Sequence, residues 1–131
     1  MLVSTTSDRI AWVVDSGATH HMCNDCEAFR KNSLRPAQAA VRLGDKSVLQ
    51  VTQQGTVVVN GVRLTALFIP EFWVSLLSVA QLDASGLETT FGNGVCTVSD
   101  GGGRPVIQAR QAHGLYWVDS PGSPLAARCV T

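Results

Sequence analysis

The stretch that decides the fold runs from Ile10 to Thr19 and reads Ile-Ala-Trp-Val-Val-Asp-Ser-Gly-Ala-Thr. An apolar run ends directly at Asp15, and a hydroxyl and a glycine follow it. The pattern predicts a buried strand that delivers Asp15 into a tight turn, because Asp and Ser favour turn starts and Gly tolerates positive φ. Asp-Ser-Gly alone is common in ordinary turns, so the apolar approach to Asp15 is what favours a functional aspartate.

A carboxylate held rigidly at the end of a buried strand suits chemistry in which two carboxylates work on one water molecule. Two such groups that lie close together cannot both ionise cheaply, so they share one proton and act as base and acid. Gly17 would let a second backbone approach closely, and the Ser16 hydroxyl would hydrogen-bond to the matching loop. Asp15, Ser16 and Gly17 are therefore the candidate catalytic residues.

The composition describes an apolar globular chain without a dominant charge. Its 131 residues are 45% hydrophobic and 15% charged, and ten basic residues balance ten acidic ones. The length corresponds to one domain with a real core, and the charge balance argues against nucleic-acid binding through a basic face. We expect the domain to span residues 1–119, and residues 120–131, with their Pro, Gly and Ser, to form a flexible tail or linker.

Short apolar runs alternate with turn signals along the chain, which is typical of an antiparallel all-β domain. The runs cover residues 10–14, 41–43, 48–51, 56–59, 62–68, 87–91, 95–98, 106–109 and 115–118. Asn60-Gly61 and Asn93-Gly94 predict tight hairpins, since both residue types tolerate positive φ. Residues 78–86 predict one short helix of about two turns, with Ser78 as its N-cap and Gly86 at its end.

Membrane and secretion signals are missing from the sequence. No apolar run reaches the roughly 18 to 20 residues that span a bilayer, and the first nine residues lack the charged and apolar regions of a signal peptide. We therefore expect a cytoplasmic domain that is not bound to a membrane, or one cut from a longer chain. The four cysteines, at 23, 26, 96 and 129, could form two disulfides, but without a secretory signal we expect reduced thiols.

Four blocks of the sequence carry a resemblance. They are Asp-Ser-Gly-Ala-Thr-His-His-Met at 15–22, Val-Arg-Leu-Gly-Asp-Lys-Ser at 41–47, Ser-Leu-Leu-Ser-Val-Ala-Gln-Leu at 75–82, and Gly-Leu-Tyr-Trp at 114–117. Together, and in this order, they resemble the protease domain of copia-type LTR retrotransposon polyproteins. The first block is similar to that family's Asp-Ser-Gly-Ala-(Ser/Thr)-x-His-Met signature. The resemblance extends over roughly residues 10–119 and so covers nearly all of the expected domain rather than a single motif.

This resemblance implies an all-β, retropepsin-like closed β-barrel with a flap hairpin and one short helix. It also implies an aspartic endopeptidase that cleaves a Gag-Pol polyprotein, with Asp15, Ser16 and Gly17 at the catalytic centre. The residues expected to bind substrate are Ala18, Thr19 and the flap tip, Leu43, Gly44, Asp45, Lys46 and Ser47. The residues expected to support the catalytic loop are Leu76, Leu77 and Ser78, where Ser78 stands in place of a glycine that is general in retropepsins.

The second carboxylate cannot come from the same chain. Only one Asp-(Ser/Thr)-Gly is present, and the sequence has no internal repeat. We therefore expect a homodimer with a two-fold axis between the two Asp15 side chains, and we expect residues 115–118 to contribute to the dimer sheet. No metal and no cofactor are expected. The implied substrate is the element's own polyprotein, cleaved in the cytoplasm within virus-like particles.

Several alternatives stay open. A domesticated copy with the same fold could be a catalytically silent dimerisation or binding module. His20, His21, Cys23 and Cys26 could begin a zinc site, although the sequence offers no second pair of ligands at similar spacing. His21 could either contact substrate or pack within the fold. Residues 101–103, three glycines, lack the helix start and the Lys-Ser/Thr of a phosphate loop, so we interpret them as a hairpin connection.

Overall fold

The computed structural model describes residues 11–42 and 45–119. Within these ranges the strands are β1 (Trp12–Asp15), β2 (His21–Cys23), β3 (Arg35–Arg42), β4 (Val48–Val59), β5 (Val62–Phe68), β6 (Ser75–Ser78), β7 (Glu88–Gly92), β8 (Val95–Ser99), β9 (Pro105–Ala112) and β10 (Leu115–Val118). One short helix, α1 (Val79–Ala84), follows β6, and a 3-10 helix covers Cys26–Ala28. The predicted all-β class with one short α-helix is therefore confirmed, whereas the predicted tail 120–131 lies outside the described residues.

All of these strands belong to one sheet, in the order β3-β4-β5-β2-β6-β1-β10-β9-β8-β7. Two neighbouring pairs are parallel, β1 with β6 and β2 with β5, and the other pairs are antiparallel. The prediction of a purely antiparallel domain is wrong for those two pairs. Their members are joined by long connections rather than by tight turns, and this is what parallel pairing requires.

The sheet curls around one large core but does not close. The main apolar cluster joins Val57 and Leu64, from β4 and β5, to Val98 and Ile107, from β8 and β9. These strands lie toward opposite ends of the strand order, so only a strongly curled sheet brings them together. The strands β3 and β7 are nevertheless separate edges of the described sheet. The predicted closed β-barrel is therefore wrong, because no pairing between β3 and β7 completes the ring.

A second, smaller apolar cluster connects the β3–β4 hairpin to the segment that follows β1. It contains Ala18 and Met22, on or near β2, together with Val41 of β3 and Val51 of β4. Leu67 and Ile69, at the end of β5, complete the cluster. The hairpin is thus anchored by its apolar residues close to the turn that carries Asp15.

The predicted turns and helix are confirmed by their backbone conformations. Asn60-Gly61 has φ values of 50° and 84°, and Asn93-Gly94 has 54° and 78°, which suits two-residue hairpins. In α1, the hydroxyl of Ser78 caps the N-terminus by accepting a hydrogen bond from the Gln81 amide. None of the described helices is long or apolar enough to cross a bilayer.

The strand β10 lies inside the sheet. It pairs with β1 on one side, through Val13↔Trp117 and Val14↔Tyr116, and with β9 on the other. Because both of its edges are occupied within one chain, it has no free edge to offer to a second copy. The prediction that residues 115–118 contribute to a dimer sheet is therefore wrong, and β10 instead flanks the strand that ends at Asp15.

Gly55 offers a test of the packing between β4 and the segment before β3. A methyl group added there would lie 2.9 Å from the Phe29 ring, 3.0 Å from the Ser33 hydroxyl and 3.2 Å from the Leu34 Cα atom. We expect Gly55→Ala to lower the free energy of unfolding by about 1–3 kcal/mol, the usual cost of overpacking, as measured by urea denaturation. Gly92→Ala is the matched control, since nothing lies within 4 Å of its added methyl. Equal stability of the two variants would contradict this description of the core.

Candidate functional site

Asp15 is the last residue of β1 and lies in the middle of the sheet. It is aligned with Ser78 of β6, and the preceding Val14 is aligned with Tyr116 of β10. Trp12, Val13 and Val14 are buried, whereas Asp15 itself is half-buried. The apolar strand therefore holds the aspartate rigidly and brings its carboxylate to the surface, as the sequence predicts.

The turn after Asp15 is organised by its carboxylate. The Gly17 amide donates a hydrogen bond of 2.8 Å to Asp15 Oδ1, and the Ala18 amide approaches the Asp15 carbonyl oxygen at 3.5 Å. Ser16 and Gly17 are exposed, whereas Ala18 is buried in the smaller apolar cluster. The turn thus presents Asp15, Ser16 and Gly17 together on an accessible edge, and it is anchored from within by Ala18.

The start of α1 holds the same turn from the other side. The Ser78 hydroxyl donates to the Ala18 carbonyl oxygen at 2.7 Å, and the Gln81 side-chain amide donates to the Thr19 carbonyl oxygen at 3.0 Å. Leu77 is fully buried in the main core beside β1, and Leu76 is half-buried. The structure therefore brings Leu76, Leu77 and Ser78 into contact with the elements that they are predicted to support.

Gln81 was missed by the sequence reasoning, although a signal for it exists. Ser78 and Gln81 have the spacing of a capping box, Ser-x-x-Gln, which places a glutamine at the third position of a helix. That spacing marks the residue as part of the helix start. It does not reveal the contact with Thr19, because the two residues are 62 positions apart in the chain.

His21 packs within the fold. Its side chain is only 3% exposed, and its Nδ1 atom accepts a hydrogen bond of 3.0 Å from the Ser78 amide. Burial, with a smaller contribution from the neighbouring charge of His20, lowers the pKa of His21 from its usual 6.5 to about 4. The imidazole is therefore neutral at neutral pH, and of the two alternatives for His21 the structure supports packing.

An apolar groove opens beside Asp15. It has a volume of about 540 Å³ and includes Asp15 and Ser16 in its wall. Three aromatic side chains besides Phe72 line it: Trp73, Phe91 and Tyr116. The ring centres of Phe91 and Tyr116 are 5.0 Å apart, and the Trp73 ring lies 5.9 Å from that of Trp117, which is outside the lining. Trp73 is 74% exposed, which is unusual for a side chain that is so large and apolar. The remaining apolar lining comes from Val13, Val14, Phe72, Val74, Leu76 and Leu115.

The hairpin of β3 and β4 corresponds to the predicted flap. Val41 is aligned with Leu49, and Arg42 with Val48, so the described tip residues, 45–47, directly precede β4. Asp45 Oδ1 accepts hydrogen bonds from the amide and the hydroxyl of Ser47, at 3.0 and 2.5 Å, and Lys46 has a φ of 73°.

Three of the five predicted flap-tip residues belong to the described part of the chain. Asp45, Lys46 and Ser47 are exposed, and the hydrogen bonds between Asp45 and Ser47 stay within the turn. Leu43 and Gly44 lie outside the described residues.

The cysteines and histidines do not assemble into a metal centre within the described ranges. There, no group of three or more His, Cys, Asp or Glu side chains lies close enough together to hold an ion. Cys23 is fully buried, its thiol donates to the Asp25 carbonyl oxygen at 3.6 Å, and burial raises its pKa. Cys26, by contrast, is an exposed free thiol. The described residues thus give no support to the zinc alternative.

Comparison with known families assigns the chain to a protein family. Residues 12–87 match the family described as the Pol polyprotein, beta-barrel domain, which covers more than half of the sequence. The chain belongs to this family, and it is a Pol polyprotein region of a retroelement. The match begins at β1 and ends just after α1, so it contains Asp15 and Ser78 but not β7 to β10. No curated protein matches the chain.

The depressed pKa of His21 predicts a pH-dependent loss of stability. Between about pH 6.5 and pH 4 the unfolded chain binds a proton at this histidine while the folded chain does not, so stability falls as the pH is lowered. We expect this histidine to account for about 2 kcal/mol of the free energy of unfolding lost between pH 7 and pH 4.5. Urea denaturation of the wild type and of His21→Asn at several pH values measures the difference.

The matched control for that measurement is His113→Asn. His113 is exposed and has a φ of 54°, a conformation that asparagine tolerates. We expect the control to keep the pH dependence of the wild type, whereas His21→Asn flattens it. Identical pH profiles for the wild type and His21→Asn would show that His21 is not a buried neutral imidazole.

Proposed function

We propose that the domain is an aspartic endopeptidase of a copia-type retrotransposon, active as a homodimer in which each subunit contributes Asp15. The observation that carries the proposal is the position of Asp15, at the end of a buried central strand and in an exposed Asp-Ser-Gly turn beside an apolar groove. A carboxylate that only started a turn would need neither the buried approach nor the groove.

The geometry of the turn fits the role of a fixed acid or base. Among the described residues, the Asp15 carboxylate receives its hydrogen bond on Oδ1, from the Gly17 amide at 2.8 Å. That contact fixes the plane of the carboxylate and leaves Oδ2 for water. Catalytic groups must be held close to their productive geometry, and the contacts of Ala18 and Thr19 with Ser78 and Gln81 provide the rigid support.

The exposure of the turn fits pairing with a second copy. Ser16 and Gly17 are exposed, and the sequence contains no second Asp-(Ser/Thr)-Gly. A two-fold axis beside Asp15 would place two such turns face to face and bring the two carboxylates together. In this arrangement the Ser16 hydroxyl of one subunit reaches the turn of the other.

The paired carboxylates would hydrolyse a peptide bond without a covalent intermediate. One Asp15 is ionised and removes a proton from the bound water as the water attacks the scissile carbonyl. The other is protonated and donates a hydrogen bond to the oxygen that gains negative charge. When that proton passes to the oxygen, a neutral tetrahedral diol results. The diol collapses as the Asp15 that took the proton of the water gives it to the leaving nitrogen, and the other Asp15 recovers its proton from a diol hydroxyl. Because one shared proton is required, activity favours mildly acidic pH.

The surfaces around Asp15 fit an extended polypeptide. The groove of about 540 Å³ has the size and the apolar walls of a site for a large side chain. The β3–β4 hairpin, anchored through Val41 and Val51 near Ala18, would serve as the flap over the substrate, with Asp45, Lys46 and Ser47 at its tip. The substrate we propose is the element's own Gag-Pol polyprotein, processed within the assembling particle.

Substitution of the aspartate tests the chemistry. We expect wild-type protein to cleave peptides derived from the polyprotein in assays between about pH 4 and 7, with more activity toward the acidic end because the mechanism needs one shared proton. We expect Asp15→Asn to lower cleavage by at least about a thousandfold, since the amide cannot act as a base. Asp83→Asn, which changes an exposed carboxylate on α1, is the control and should keep wild-type activity. A folded, dimeric wild type that cleaves nothing would favour the silent binding module.

Mixing of subunits tests the shared site. Because mixed dimers would carry one aspartate and one asparagine, we expect an excess of Asp15→Asn protein to lower the activity of a fixed amount of wild type. An equal excess of Asp83→Asn protein should raise the total activity instead. Cleavage rates should also rise more steeply than linearly with enzyme concentration, as dimerisation requires. Wild-type activity that is indifferent to the Asp15→Asn protein would refute a site built from two subunits.

A further inference from the structure

The start of α1 carries a capping box that is only half made. In a complete box the serine hydroxyl accepts from the amide three residues on, and the glutamine side chain returns to the amide of the serine. Here the first bond is present, from the Gln81 amide to Ser78 Oγ at 3.1 Å. The second is absent from its usual place, because the Ser78 amide donates to His21 Nδ1 at 3.0 Å instead.

The displaced glutamine holds the turn that carries Asp15. Its side-chain amide donates to the Thr19 carbonyl oxygen at 3.0 Å, next to the Ala18 carbonyl oxygen that accepts from Ser78 Oγ at 2.7 Å. Two successive carbonyl groups of the turn are therefore tied to the first turn of one helix. This change of partner by Gln81 depends on His21. Without the Nδ1 atom of His21, the buried Ser78 amide would need the Gln81 side chain or would stay unpaired.

We propose that His21 and Gln81 are positioning residues for Asp15: His21 takes the Ser78 amide and thereby frees Gln81 to clamp the turn at Thr19. The catalytic part of this inference rests on the proposed protease function, whereas the clamp itself does not. Neither residue touches the reacting atoms. Both act through the backbone between Asp15 and His21, whose ends are fixed by β1 and β2.

The surroundings of His21 keep its imidazole neutral, with Nδ1 free to accept a hydrogen bond. The residue aligned with it on β5 is Ala66, and the next residue of β2, Met22, is aligned with Leu76 on β6, so these flanking positions carry no charge. The titratable neighbour is His20, whose Nδ1 atom lies 3.0 Å from the Thr19 hydroxyl. Because a backbone amide donates to Nδ1, the neutral ring must carry its proton on Nε2. Protonation of Nδ1 would abolish the acceptor and open the clamp.

A positioning role differs from a purely structural one in what it does to kinetics. Loss of the clamp misplaces Asp15 in the transition state while the groove that binds the substrate stays intact, so kcat falls and KM is retained. Destabilisation alone would lower the amount of active protein without this split. Asparagine should rescue His21, because its Oδ1 atom lies at the same distance along the side chain as Nδ1 and accepts a hydrogen bond.

The test compares four variants of the full chain: His21→Leu, His21→Asn, Gln81→Met and the control Gln108→Met, which changes an exposed glutamine of β9. We expect kcat to fall about ten- to a hundredfold in His21→Leu and Gln81→Met. KM of these two variants should stay within about twofold of the wild-type value. The kcat of His21→Asn and of Gln108→Met should stay within about threefold of the wild-type value. A folded Gln81→Met protein with the kcat of the wild type would overturn the proposal, even if His21→Leu fails to fold.

Two measurements test the hydrogen bonds of His21 and Gln81 without relying on peptide cleavage. Nitrogen NMR of the wild type should show His21 as the neutral Nε2–H tautomer. Amide hydrogen exchange should be faster at Gly17 and Ala18 in both His21→Leu and Gln81→Met than in the wild type or in Gln108→Met, because both variants release the turn from Gln81. If these results hold and the wild type cleaves no peptide, the protease function fails and the clamp stands. Unchanged exchange in both variants would overturn the clamp itself.

Discussion

The parallel pairing of β1 with β6 is the constraint on which the rest of the structure depends. It aligns Asp15 with Ser78, so the end of the aspartate strand and the start of α1 lie side by side. From that alignment follow the Ser78 contacts with Ala18 and His21, and the reach of Gln81 to Thr19. The core supplies the stability, but this one register decides where the carboxylate is held.

Features encoded within a few neighbouring residues could be predicted from the sequence. The apolar approach to Asp15, the two Asn-Gly hairpins and the capped helix all express local preferences. Features encoded by distant contacts could not be predicted. The strands β2 and β6 have only three and four residues, too few for a pattern. β4 runs straight through Gly55, which would ordinarily interrupt a strand; here the glycine leaves room for Phe29 and Ser33.

In the site, too, local features could be predicted from the sequence and distant contacts could not. Asp15, Ser16 and Gly17 are neighbours in the chain, so their arrangement follows from the turn that they form. The bonds of His21 and Gln81 join residues 57 and 62 positions apart, and only the fold reveals them. The curled, open sheet has a related cause. Its closure would require the edge strands β3 and β7 to pair, and their sequences carry no signal about each other.

The stoichiometry of a transition-state mimic tests the central claim most directly. A substrate peptide whose scissile bond is replaced by a hydroxyl-bearing, uncleavable group should bind between two Asp15 carboxylates. Calorimetric titration of the wild type should then show one inhibitor for every two chains, and Asp15→Asn should bind it far more weakly. One inhibitor per chain, or equal binding by Asp15→Asn, would contradict a catalytic centre shared by two copies of this domain.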